Sequence, residues 1–99
     1  MGMSVQIRTY TGSLEGTCVH PAIWALCQSA ERAGLPLLGH VDRYDNTTFN
    51  RLQMKPVLAE LDQIAADASP DEREAVREIV ALIQQCERKP HRYLVFNGD

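Results

Sequence analysis

Ser69-Pro70-Asp71-Glu72 lies between two helical stripes, and that arrangement constrains the chain more than any other feature. Ser69 suits the cap of a helix, Pro70 its first position, and Glu72, three residues on, the far side of a capping box. Asp71, Glu72 and Glu74 also suit the positive end of the helix dipole. Before the box, Met54, Val57, Leu58, Leu61, Ile64, Ala65 and Ala68 recur on one helical face; after it Val76, Ile79, Val80, Ile83 and Cys86 do the same. Arg88, Lys89 and Pro90 end the second helix. So short a connection predicts an antiparallel helical hairpin. Pro56 sets a condition on its start. A proline deep in a helix removes a hydrogen bond and clashes with the preceding turn, so the first helix is expected to begin near Lys55, with Phe49 to Met54 a separate turn.

The rest of the chain supplies what the hairpin packs against. Val5, Ile7 and Thr9 alternate with polar residues, which reads as a half-buried strand. Thr11 to Thr17 is loop by composition. Pro21 opens a helix with Ile23, Leu26, Cys27 and Ala30 on its buried face and Trp24 on its flank, stopped by Gly34-Leu35-Pro36. Leu37 to Val41 reads as a short strand weakened by Gly39, and Asp42 to Asn50 as turns and caps. Arg92 to Phe96 is the last strand, expected beside the first because a lone short strand is not stable. The sum is one α+β domain over residues 1–99, with a sheet of two or three strands and three helices.

Composition narrows the function classes. A chain of 99 residues buries roughly two thirds of its unfolded surface, enough for one core without disulfides or metal. The cysteines, Cys18, Cys27 and Cys86, are odd in number and form no Cys-x-x-Cys, which implies a reducing, cytoplasmic setting. No apolar run approaches the roughly 20 residues that span a bilayer. The opening residues lack a signal-peptide pattern, and Gln6 stands where myristoylation needs Ser or Thr. The net charge of −3 argues against nucleic acid. Charge is unevenly spread: from Glu60 to Glu78 seven acids (Glu60, Asp62, Asp67, Asp71, Glu72, Glu74 and Glu78) face only Arg73 and Arg77, a balance of −5.

Several residues are candidates for chemistry, each with a structural alternative. Cys18-Val19-His20 pairs a nucleophile type with a base type, although residues two apart in extended chain do not meet automatically. Cys18, His20, His40 and Asp42 are all acceptable zinc ligands, in a spacing that matches no zinc pattern. Cys27 and Cys86 lie on apolar stripes and read as structural. Tyr44, Asp45, Asn46, Thr48 and Asn50 belong to an unusually polar stretch that suits either ligand or protein binding or a structural turn, in which Thr48 or Asn50 caps a helix and Phe49 anchors the loop. Glu74 and Glu78 are four apart on the acidic hairpin and offer a docking face for a basic protein; the alternative is an ordinary solvated face.

Two segments, Tyr44-Asp45-Asn46-Thr47-Thr48-Phe49-Asn50-Arg51-Leu52-Gln53 and Tyr93-Leu94-Val95-Phe96-Asn97-Gly98-Asp99, resemble small uncharacterised proteins of high-GC bacteria, which also carry a helical pair between two such segments. The resemblance implies no activity. It points to an immunity-type or antitoxin-like partner and marks Tyr44–Asn50 and Gly98-Asp99. The expectation is a non-enzymatic protein-binding domain, immunity-type or regulatory, with no cofactor. The alternative is a metal-dependent or ligand-binding protein using Cys18, His20, His40 and Asp42 or the Tyr44–Asn50 loop.

Overall fold

A computed structural model describes residues 2–86 and 89–98. Arg88, read above as part of a helix end, and Asp99, in the terminal motif, lie outside them. In chain order the elements are β1 (Ser4–Thr9), β2 (Leu14–Val19), α1 (Ile23–Arg32), a 3-10 turn (Leu38–His40), β3 (Thr47–Phe49), α2 (Arg51–Ala65), α3 (Pro70–Cys86) and β4 (Arg92–Asn97). The strands form one antiparallel sheet in the order β2-β1-β4-β3. First and last strands are neighbours, paired from Ser4–Asn97 to Thr9–Arg92. The class is α+β with three helices, as expected, and the described sheet has four strands rather than two or three.

The helices cover one face of the sheet. Val5 and Ile7 of β1 and their partners Phe96 and Leu94 of β4 point into the core, where Phe49 meets Phe96 edge-on at 5.9 Å between ring centres. The three helical stripes complete it. Ile23, Leu26, Cys27 and Ala30 of α1, Met54, Val57, Leu61 and Ile64 of α2, and Val76, Ile79, Ile83 and Cys86 of α3 are all buried. On the opposite face Gln6, Arg8 and Tyr93 are half-buried, while Thr17, Val19 and Thr48 are exposed.

Four expectations are corrected, each for a physical reason. Thr47 to Phe49, read within the Asp42–Asn50 turns, is strand β3, because its backbone pairs with Leu94 to Phe96 of β4. Leu14 to Thr17 is strand rather than loop. Its backbone pairs with β1 whatever its side chains are, and a register shift between Ile7 and Arg8 breaks the alternation that would have announced it. Leu37 to Val41 is not a strand. The buried Glu60 carboxylate accepts from the Leu37 N–H at 3.1 Å and the Leu38 N–H at 2.8 Å, and the chain winds into a 3-10 turn there. Helix α2 begins at Arg51, not Lys55. Asn50 accepts from the Gln53 N–H and Gln53 accepts from the Asn50 N–H, a reciprocal box that starts the helix before Pro56 is reached. Pro56 and Leu52, whose carbonyl the proline leaves without its helical donor, both lie on the exposed side, where water can serve.

The Gly34 stop and the Ser69 cap behave as read, while α1 begins at Ile23, two residues after Pro21, and Glu72 reaches the Ser69 hydroxyl rather than the Ser69 N–H that a full capping box would use. Gly34, at φ +71°, lets Leu35 N–H reach Ala30 O at 3.0 Å and Gly34 N–H reach Glu31 O, ending α1 in a left-handed turn. Ser69 accepts from the Glu72 N–H at 3.2 Å and donates to the Glu72 carboxylate at 3.0 Å.

Gly98 has a tighter requirement. The β3–β4 register, Thr47 opposite Phe96, places it against Asp45, and a Cβ at Gly98 would overlap the Asp45 backbone. Gly98→Ala is therefore expected to cost roughly 1–3 kcal/mol in urea denaturation, because backbone cannot swing aside as a side-chain tip can. Glu60→Gln, which leaves one of the two N–H groups unmatched, is expected to cost roughly 1–3 kcal/mol by the same measurement.

Candidate functional site at the β2–α3 edge

Edge strand β2 lies along α3. Residues 74, 78, 82 and 85 share one side of that helix. A Cβ at Gly16 would stand 2.7 Å from Leu82 Cδ1 and 3.5 Å from Gln85 Oε1; further along, Cys18 meets Glu78, and just past the strand His20 meets Glu74. The helix therefore runs antiparallel to the strand, and its two glutamates accompany the strand's C-terminal end.

His20 is buried and makes two bonds. Its Nδ1 accepts from the Ala22 N–H at 3.0 Å, so the neutral ring carries its proton on Nε2 and donates to Glu74 Oε1 at 2.9 Å. The imidazole thus satisfies the N–H of the cap residue Ala22 at the start of α1, the N–H that the Glu or Gln of a capping box would take, and Ala22 offers no side-chain cap of its own. Cys18 is also buried, and its thiol donates to Glu78 Oε1 at 3.5 Å. Burial, then the Glu78 hydrogen bond and charge, push this thiol up to about 11 from an ordinary 9.0, and burial alone pushes Cys27 up to about 12. A nucleophile needs the thiolate, and Cys18 is held as thiol.

The four residues weighed as metal ligands do not come together. Among the described residues the group with converging ligand atoms is His20, Glu74 and Glu78, within 4.8 Å of one another. His40 ends the 3-10 turn, and Asp42 accepts from the Tyr44 N–H at 2.8 Å. The His20 group is built for hydrogen bonding. A metal on Nε2 would move the ring proton to Nδ1, where it would face the Ala22 N–H, whereas a ligating imidazole normally donates from its second nitrogen.

The polar stretch is largely consumed by its own folding. Asn50 caps α2, Asp45 accepts from the Asn46 N–H, Thr47 accepts from the Asp42 N–H, and Phe49 anchors the core. Tyr44 is exposed, with the Arg43 guanidinium 5.7 Å from its ring and 5.6 Å from that of Trp24. Asn46 and Thr48 are exposed or nearly so. A cleft of about 250 Å³ beside this region is lined by Asn50, Arg51, Leu52 and Pro90 to Tyr93. It is smaller than the roughly 300–1,000 Å³ usual for small-molecule sites.

Sequence reasoning missed two features. Glu60 looked like one more surface acid on a helix; only the apposed Leu37–Leu38 backbone reveals its role. The exposed apolar residues Tyr10, Leu14 and Val19 went unmarked: Leu14 lies in the segment read as loop, and Tyr10 and Val19 flank it, so three large apolar side chains around so polar a stretch were the available signal.

No family model, no curated protein and no solved structure matches this chain. No helix among the described residues is long and apolar enough to cross a membrane.

The raised thiols carry a pH prediction. Above pH 9 the unfolded chain releases protons that the folded chain still holds, so unfolding becomes more favourable as pH rises. Stability is expected to fall from pH 9 through about 11 for Cys18 and on to about 12 for Cys27. Denaturation midpoints of Cys18→Ala should show a shallower fall between pH 9 and 11 than the natural protein.

Proposed function

We propose that the protein is a non-enzymatic protein-binding domain, of the regulatory or immunity type, whose contact surface is the β1–β2 hairpin and its outer edge. The observation that carries this reading is that three of the five large apolar side chains exposed among the described residues belong to this hairpin. Tyr10 in the turn is 71 % exposed, and Leu14 and Val19 at the two ends of β2 are 56 % and 72 % exposed. Exposed apolar residues at a sheet edge cost solubility and promote association unless a partner uses them. The residue types that catalysis would draw on lend support from the other direction. Cys18, His20, Glu60 and Glu72 are each committed to bonds that hold elements together, Glu72 through Ser29 of α1 at 3.0 Å.

Affinity capture from the native host tests this with two baits, the natural protein and the Leu14→Lys/Val19→Lys variant. Both positions are exposed, so the variant is expected to melt within about 0.5 kcal/mol of the parent. A stoichiometric protein held by the natural chain and lost from the variant is the expected result. Equal retention by both baits would place the contact surface elsewhere.

A further inference from the structure

We propose that the free edge of β2 takes an extended segment of a basic partner as an added strand, with the partner's cations set against Glu74 and Glu78. The inference rests on the protein-binding reading above and names the kind of partner. A sheet of this order has two edges. The β3 edge is three residues long and continues into the Asp42–Asn46 turn, a length too short to template pairing. The β2 edge is six residues long, and its one charge, Glu15, is already matched by Arg92, with Arg92 Nη2 3.0 Å from Glu15 Oε2. No proline and no free charge blocks it; a register shift at Glu15 interrupts its start, and from Gly16 to Val19 it runs in unbroken register.

The choice of occupant comes from charge. Helix α3 lies beneath this edge strand, and Glu74 and Glu78, both exposed despite their bonds to His20 and Cys18, stand beside its last residues. A strand with alternating basic and apolar residues meets both halves of the surface. Its apolar side chains join Leu14 and Val19 on the open face, and its cations reach the glutamates on the helix side. Opposite charges at such a rim mainly speed association and select the partner.

The probe is an end-capped (Lys-Val)4 peptide, compared with (Glu-Val)4 and with (Lys-Pro)4, which keeps the charge but cannot pair as a strand. Binding is followed by amide NMR and hydrogen exchange on the natural protein. The expected result is saturable binding of (Lys-Val)4 with slowed exchange confined to Leu14–Val19, weakened about three- to tenfold in Glu74→Gln/Glu78→Gln. Those variants keep the acceptor oxygens that His20 and Cys18 use. The proposal is overturned by equal binding of (Glu-Val)4 or (Lys-Pro)4, by protection elsewhere, by no binding of (Lys-Val)4, or by a dimer of the protein alone with β2 amides protected. The capture experiment separates the two readings. A partner that depends on Leu14 and Val19, with no strand-like peptide binding, refutes strand addition and leaves the hairpin as the contact surface.

Discussion

Leu94 and Phe96 lose all contact with solvent because β4 enters the sheet between β1 and β3 and under α2. The other elements depend on that insertion. Without β4, strand β1 keeps only its edge partner β2, β3 has no neighbour, and Phe49 has no ring to pack on. The residues that complete the fold come last in the chain, after the helical hairpin, and must close a loop of nearly the whole sequence to reach β1. Such non-local pairing is costly in chain entropy before it is rewarded by burial. Gly98 belongs to the same closure, since a side chain there would hold β4 away from the Asp45 backbone.

Much of the polar chemistry in this chain serves assembly. A buried backbone N–H costs free energy unless something accepts from it. Glu60 meets that need for the 3-10 turn and His20 for the start of α1. These bonds tie elements that are distant in sequence: Glu60 joins α2 to the turn after α1, and His20 with Glu74 joins the end of β2 to α3. The acidity of the hairpin is thus divided. Glu60 and Glu72 face inward or across to other elements, while Glu74 and Glu78 are held at the sheet edge and still meet solvent.

Satisfaction stops at that edge. The core face of β2 is closed by Gly16 against Leu82 and by Cys18 against Glu78, but among the described residues no strand pairs with its outer edge, and its opposite face carries Leu14 and Val19 into solvent. Unmatched backbone, exposed apolar surface and fixed negative charge lie within one strand's length. That juxtaposition is what supports the proposal of an interaction at this place.

The helices were legible in the sequence by themselves because a helix is defined by contacts within its own segment. Ile23-Leu26-Cys27-Ala30, the Ser69 cap and the Gly34 stop each act over a few residues, and each appears where its pattern places it. The α+β class and the pairing of first and last strands followed from the same local patterns. What tertiary structure alone decided were three features set by a partner outside their own segment. Leu14–Val19 is a strand because β1 pairs with it, Leu37–Leu38 winds into a turn because Glu60 lies opposite, and His20 faces Glu74 rather than His40 or Asp42 because α3 packs beneath β2. Hydrogen bonds and charges act through space, and their partners become neighbours only once the sheet has closed.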